Sequence, residues 1–314
     1  MPIVDQYGRT FKKLRVSLTN VCNFECPYCV SGINKSNNIK RVLSTEQYLK
    51  IIQKINQQTK LHSVILTGGE PLLYNSIEKL ISRLKENGIP EVKLTTNGFL
   101  LKQKANSIKA AGIDSINVSL DALDESIFFT MSKRRGVEKI IEGIDRAIAI
   151  GIKVKINAVL MKDINDKELL PLLNFAKERS IIIRFLELMN MGHLYGGKHE
   201  YLFSQKEMLD KIEEVHDIIS LERDPGSTGN YWITNNKQVF GIIANESAPF
   251  CNDCDRLRLD SYGNIYGCLS STENVNILES INNTELVQEN LMRALLQKQT
   301  KFKGSPVLMK NIGG

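Results

Sequence analysis

Between residues 14 and 187, six short β-rich runs alternate with longer amphipathic ones, and this alternation narrows the choice of fold more than any other feature. The β-rich runs are LRVSLTNV, SVILT, VKLTTN, SINVSL, KVKINAVL and IIIRFLE; TEQYLKIIQKINQQ, SIEKLISRLKEN and EKIIEGIDRAIAIG lie between them with helical periodicity. Strand–helix units of this kind imply a parallel sheet. Six units are two short of a closed eight-stranded barrel, so the expected fold is α/β, an open, partial (β/α)6 TIM-like barrel.

Period-two alternation then sorts the strand side chains into two faces. Arg15, Ser17 and Thr19 stand opposite Leu14, Val16 and Leu18, and Lys93, Thr95 and Asn97 opposite Val92, Leu94 and Thr96. Ser115, Asn117 and Ser119 oppose Ile116, Val118 and Leu120; Lys153, Lys155 and Asn157 oppose Val154, Ile156 and Ala158. With the apolar faces on the helices, the polar faces line the interior and make it a wet ligand chamber. Edge strands facing solvent would show the same alternation. After Glu222 the texture changes: DPGSTGN is a loop by composition, and WIT-NN-KQVFGII reads as a hairpin around Asn235 and Asn236. Residues 1–224 are therefore expected to form the barrel domain and 225–314 a smaller C-terminal one.

The opening MPIVDQYGRTFKKLRVSL has no apolar run of signal-peptide length, and no later stretch is apolar for long enough to span a bilayer. The expectation is a cytoplasmic protein with no membrane partner. In a reducing compartment clustered cysteines read as metal ligands or redox centres, and a chain of 314 residues can bury a core without disulfides. A net charge of +6 favours an anionic ligand, while the absence of a basic run of five and an aromatic content of 7% argue against nucleic acid.

Three of the six cysteines, Cys22, Cys26 and Cys29, fall in C-N-F-E-C-P-Y-C. A structural zinc site wants four ligands, and none of the four histidines lies in this loop. A [4Fe-4S] cluster held by three cysteines leaves one iron open for a ligand. C-P-Y-C alone could be a redox pair, which leaves Cys22 unexplained. The C-x3-C-x2-C spacing with Tyr28 before the last cysteine resembles the radical S-adenosylmethionine (SAM) superfamily. That resemblance implies SAM chelated to the open iron and cleaved by an electron from the cluster to give a 5′-deoxyadenosyl radical. T-G-G-E-P at 67–71 resembles that superfamily's SAM-amine motif, its glycines letting backbone carbonyls approach a ligand closely.

Cys251, Cys254 and Cys268 form a second set, C-x2-C-x13-C, for which half a zinc ribbon is the plainer alternative. The R-L-R that follows, Arg256, Leu257 and Arg258, projects both guanidiniums to one side of an extended chain, a fit to an anionic, planar substrate. With SLDALDESIF, KINAVLMKDIND, RFLELMNMG and the terminal Gly313-Gly314, the stretch from residue 10 to 314 resembles the GTP 3′,8-cyclase family of molybdenum cofactor biosynthesis.

The resemblance implies a partial six-stranded barrel whose mouth is closed by a C-terminal cluster domain, two [4Fe-4S] clusters, and SAM. The radical would take hydrogen from the ribose C3′ of GTP, the carbon radical would attack guanine C8, and the product would be (8S)-3′,8-cyclo-7,8-dihydroguanosine 5′-triphosphate. Metal ligands would be the six cysteines, the second three leaving an iron for the base. SAM contacts would fall on Tyr28, Gly69, Ser119 and Met189, and substrate contacts on Arg15, Thr95, Lys155, Arg256, Leu257 and Arg258. Arg184 would sit by the reacting nucleotide, and Gly313 and Gly314 would reach into the active site. Partners would be GTP or a related nucleotide and a reducing electron donor, with a homodimer left open.

Plainer readings stand beside these. Arg184 could be a buried ion pair with Glu187 or another carboxylate, and a terminal Gly-Gly could be a frayed end. One departure from the family is visible: where it carries a lysine and an arginine just before T-G-G-E-P, this chain has Ser63 and Ile65. Charge-assisted hydrogen bonds contribute about 1.5–3 kcal/mol each. Their loss keeps open a related radical enzyme acting on another nucleotide or a peptide, and a non-catalytic metal-binding or redox-sensing protein is the third reading.

Overall fold

The computed structural model describes residues 3–30, 42–197 and 200–313. Six parallel strands, β1 (Lys13–Ser17), β2 (Ser63–Thr67), β3 (Glu91–Thr96), β4 (Ser115–Ser119), β5 (Lys153–Leu160) and β6 (Ile182–Glu187), pair in sequence order. Helices α1 (Thr45–Thr59), α2 (Ile77–Glu86), α3 (Leu101–Ala110), α4 (Glu125–Ser132), α5 (Val137–Ala149) and α6 (Leu169–Glu178) supply the crossovers. The sheet does not close, since β1 and β6 find other neighbours. This is the open (β/α)6 arrangement that the alternation predicts.

The helices form where the sequence gives them both a cap and an apolar face. In α1 the Ser44 side chain accepts from the Gln47 N–H at 3.3 Å while the Gln47 side chain accepts from the Ser44 N–H at 2.9 Å. Tyr48, Ile51, Ile52 and Ile55 then lie on one stripe and are fully buried. Each such side chain contributes roughly 1.5–3 kcal/mol by leaving water. The sheet presents the matching surface: Leu14, Val16, Val92, Leu94, Ile116, Val118 and Ile156 are all inaccessible to solvent.

The polar faces point inward for most of their length. Arg15, Lys93, Ser115, Asn117, Lys155 and Asn157 line one interior cavity, and Thr95, Asn97 and Ser119 line a second nearer the strand ends. Three expectations about the lumen differ. Lys153 is exposed at the start of β5, before the strand enters the barrel. Thr19 is buried yet lines neither interior cavity, because the chain leaving β1 packs directly on the turn after β2, and Ser17 is covered by the C-terminal end of the chain, its hydroxyl donating to the Lys310 carbonyl at 3.5 Å.

Beyond α7 (Gln205–Glu213), the C-terminal part extends both edges of the same sheet. β7 (Ile218–Leu221), β8 (Asn230–Thr234) and β9 (Val239–Ile243) form an antiparallel meander whose last strand lies parallel to β6, and β8–β9 is the hairpin around Asn235 and Asn236. On the other edge β10 (Arg256–Leu259) runs parallel to β1, followed by β11 (Asn264–Tyr266) and β12 (Val275–Asn276). Helix α8 (Thr284–Leu296) and the single turn α9 (Met309–Ile312) complete the chain, α9 against β1. Among the described residues no helix is long and apolar enough to cross a membrane.

Candidate active site

The loop after β1 carries the first three cysteines. It is anchored by Phe24, which is buried with its ring edge-on to Phe99 at 5.9 Å and Phe128 at 5.8 Å. Cys22, Cys26 and Cys29 converge on a cavity of about 180 Å³ at the C-terminal ends of the strands. Tyr28, Gly69, Ser119 and Met189 line the same cavity, so the four positions assigned to SAM by resemblance are brought together. Thr95, assigned to the substrate, also lies here and not in the larger cavity.

The glycines of T-G-G-E-P answer a local need. A Cβ on Gly69 would stand 2.2 Å from the Val21 carbonyl oxygen, and one on Gly68, at φ +143°, 2.5 Å from that of Thr19. The Gly69 N–H donates to the Thr19 carbonyl at 2.6 Å and the Glu70 N–H to that of Val21 at 2.9 Å. The close approach shown is therefore to the main chain of the cysteine loop itself. Glu70 completes the splice: fully buried, it accepts from the Thr96 hydroxyl at 2.6 Å, the Asn97 N–H at 2.8 Å and the Leu72 N–H at 2.9 Å. Burial outweighs those three bonds and pushes its carboxyl up to about 7. Asp121 plays a like part on the far wall, accepting from the Tyr28 hydroxyl at 2.7 Å and the Val159 N–H at 2.8 Å, with burial raising it to about 6. Sequence reasoning gave neither carboxylate a role, though Glu70 lies inside T-G-G-E-P and Asp121 inside SLDALDESIF, both stretches it did use.

All six cysteines are free thiols. Burial raises Cys22, Cys26 and Cys29, the last to about 11, and their mutual proximity raises Cys26 and Cys29 further. Among the described residues no group of three His, Cys, Asp or Glu side chains is gathered tightly enough for a single metal ion. A four-iron cube, whose irons take one sulfur each, asks for a wider triangle and supplies the positive charge that three buried thiolates need. The donor set fits that group.

A second cavity, about 610 Å³, occupies the strand-start half of the barrel and is walled by the C-terminal part, with Cys251, Cys254 and Cys268 in its lining. Arg15, Lys155, Arg184, Arg256 and Arg258 all reach it; Lys13, Lys93 and Lys298 do so too, against two carboxylates among the described residues, Glu222 and Asp224. Register places Lys13 beside Arg256 and Arg15 beside Arg258. Like charges side by side are unfavourable until an anion comes between them. Burial, then the neighbouring arginines, hold Arg15 well below its usual range and bring Arg258 to about 10. Leu257 is not brought to the cavity: its side chain alternates to the opposite face of β10 and is wholly in the core.

Arg184 is held by neutral amides, donating to the Asn157 side-chain oxygen at 2.9 Å and that of Asn117 at 2.6 Å. Glu187 is engaged elsewhere, accepting from the N–H groups of Gln205, Glu246 and Ser247 and from the Ser247 hydroxyl. Among the described residues no carboxylate forms an ion pair with Arg184, so the pairing with Glu187 is set aside. Lys298, which no sequence signal marked, is buried and donates to the Cys254 sulfur at 3.2 Å and the Arg256 carbonyl at 2.6 Å. Burial pushes the Cys254 thiol up, but the charges of Lys298 and Arg256 prevail and bring it to about 7.

The tail is docked as far as Gly313. The carbonyl oxygens of Ile312 and Gly313 accept from Arg258. Gly313 adopts φ +77°, and a Cβ there would meet the Thr67 methyl at 2.4 Å. Gly314 lies outside the described residues. Asn157, Leu186, Met189 and Met309 line both cavities, so the two chambers share a wall.

Comparison with known proteins agrees with this geometry. The family model described as the radical SAM superfamily matches residues 16–176, and one described as Molybdenum Cofactor Synthesis C matches 181–304. A GTP 3′,8-cyclase of Staphylococcus saprophyticus is 37% identical over 279 residues, 86% of this chain and 82% of that protein. One from Staphylococcus epidermidis is 36% identical over 290 residues, 90% of this chain and 85% of the relative. Among solved structures, Streptococcus suis SuiB bound to S-adenosylmethionine superposes with a TM-score of 0.62 at 16% identity, covering 94% of this chain and 65% of that one. Methylornithine synthase gives 0.52 at 17% identity, covering 65% and 62%. At such identities the two structures speak for the fold.

Proposed function

This chain belongs to the radical SAM superfamily and, within it, to the family of GTP 3′,8-cyclases, and on that premise we propose that it converts GTP to (8S)-3′,8-cyclo-7,8-dihydroguanosine 5′-triphosphate in molybdenum cofactor biosynthesis. The observation that carries the reading is the pair of cysteine-lined chambers with a common wall, one small and one rich in cations. A [4Fe-4S] cluster on Cys22, Cys26 and Cys29, with SAM, supplies a 5′-deoxyadenosyl radical when bound. We assign a second such cluster to Cys251, Cys254 and Cys268.

The chain's own residues then bind and orient. Tyr28, Gly69, Ser119 and Met189 hold SAM, Tyr28 being fixed by Asp121. Arg15, Lys155, Arg256 and Arg258 neutralise the nucleotide's phosphates, Thr95 orients it from the SAM side, and Leu257 contributes main chain only. Arg184, fixed by two amides, is aimed without a competing carboxylate at the nucleotide near the shared wall. The Gly313 carbonyl holds Arg258 in place and brings the tail against the site. We place the radical SAM core in residues 1–224 and the part that holds the second cluster and the tail in 225–314, both lending side chains to the substrate cavity, with an external reducing electron donor. Sedimentation of the purified chain decides whether it works as a homodimer.

The test is an anaerobic incubation of reconstituted protein with SAM, reductant and GTP. 5′-Deoxyadenosine and the cyclised nucleotide should appear together, with about eight irons per chain. SAM cleavage that leaves GTP untouched, or zinc in place of iron, overturns the reading. Another nucleotide or a peptide as substrate is not favoured, because the relatives are GTP cyclases and the cation-lined chamber suits a triphosphate.

A further inference from the structure

We propose that Lys93 is the cation that grips the outer phosphates of the nucleotide, at a place in the barrel wall where the neighbouring strand offers only Ser63 and Ile65. The inference rests on the reading of this site as that of a GTP cyclase, and it names a side chain which that reading does not use.

Register puts Lys93 of β3 directly beside Ile65 of β2, with the strands about 4.8 Å apart. A lysine stem of that reach covers the space over its neutral neighbour. Lys93, Ile65 and Ser63 all line the larger cavity at the strand starts. In the same sheet Lys93 stands beside Ser115, and Asn157, part of the wall shared with the smaller cavity, stands beside Ser119. Four residues along a strand separate those two levels, roughly 13 Å. The ribose has to lie at the shared wall, where the radical arrives. The polyphosphate, which takes no part in bond making, then extends from the ribose toward Lys93.

Two independent features of that far end ask for an anion. The Ser63 hydroxyl is buried, 1% exposed, and has no hydrogen-bond partner among the described residues, although it faces the cavity. A buried hydroxyl without a partner is costly, and a phosphate oxygen is the acceptor a nucleotide would bring. Lys155, on the same wall with only β4 between it and the strand of Lys93, is the second feature: burial, Arg184 and then Lys93 hold its ammonium below the usual range. Two ammonium groups therefore face one space. The present partner of Lys93 is Glu91 at 2.6 Å, a pair in which both side chains are about one-third exposed, and exposed pairs are readily given up. Lys93 can leave Glu91 and close on phosphate together with Lys155 and the Ser63 hydroxyl.

The experiment measures dissociation constants for GTP and GMP on the anaerobic two-cluster protein by equilibrium dialysis, with wild type, Lys93→Gln and the double variant Ile65→Arg/Lys93→Gln. Loss of one charge-assisted contact should weaken GTP about 10- to 100-fold in Lys93→Gln. GMP, too short to reach the strand starts, should change by less than about threefold, which also reports that the variant is folded. Arginine at 65, projecting into the same space from the next strand, should restore most of the GTP affinity. Equal weakening of GTP and GMP, or GTP binding unchanged by Lys93→Gln, overturns the inference and leaves the cyclase reading intact. A wild type that neither binds GTP nor cleaves SAM in its presence overturns both.

Discussion

The two cysteine sites of this chain have the same number of sulfurs and opposite surroundings. Beside Cys22 and Cys26 the charged groups are carboxylates, Glu70 and Asp121, with Lys310 near Cys29, and every thiol is pushed up by burial. Around Cys251 and Cys254 they are Lys298 and Arg256: Cys254 comes down to about 7, while burial still lifts Cys251 to about 11. The first site suits a ligand that brings an amine with its carboxylate; the second suits one carrying several negative charges. Ligand count alone would make the sites equivalent, so the difference in their work lies in the residues behind the sulfurs.

The largest effect that could break this contrast comes from the sulfurs themselves. Cys26→Ser should reduce 5′-deoxyadenosine formation to the detection limit, whereas Cys254→Ser should still cleave SAM while forming no cyclised nucleotide; chromatography of both products in one assay distinguishes the two. If Cys254→Ser silences SAM cleavage with the first cluster's magnetic spectrum intact, the division of labour is wrong. A smaller effect sharpens the contrast from the side of the second site. Lys298→Met removes the donor to the Cys254 sulfur and should lower iron affinity there about 10- to 100-fold. Chelator challenge followed by magnetic resonance should show the second cluster lost first and the first cluster unmoved.

The smallest effect belongs to Asp121 and is read in the metal-free protein. Its folded carboxyl lies near 6, above the unfolded value of about 3.9, so between those values the folded chain binds more proton. The contribution of Asp121 to stability should therefore fall as pH rises from about 4 through 6 and be level above. Asp121→Asn should flatten that fall by on the order of 1 kcal/mol, seen as urea midpoints at pH 4.5 and 7 drawing together. A slope identical to wild type would show that this carboxylate does not set the first region apart.

The strand faces are legible in the sequence because burial on one side and a polar chamber on the other write themselves as alternation. Leu14 against Arg15, Val154 against Lys155 and Ile116 against Asn117 all fall as the pattern predicts. The same rule shows why Leu257 is an exception among the assigned substrate residues: sitting between two lumen-facing arginines, it has to face the core. Thr95 lies on the face that alternation gives it, but which chamber that face meets at its height along the strand depends on stagger between strands. The roles of Lys298 and Asp121 carry no mark in the sequence, for a common reason. Each acts on a residue far away along the chain, Lys298 on Cys254 and Asp121 on Tyr28, and no local spacing records such a meeting.

Composition and order along the chain determined the parallel six-unit barrel, the two triads of sulfur and the basic R-L-R, because periodicity and short spacings are local properties that any fold must respect. Only the tertiary structure decided that the C-terminal strands continue the barrel sheet at both edges, that the two chambers share a wall, and which charges stand behind each set of thiols. Those are matters of register and of groups brought within a few ångströms from opposite ends of the chain, where electrostatic and steric energies depend on distance in space and not on distance in sequence.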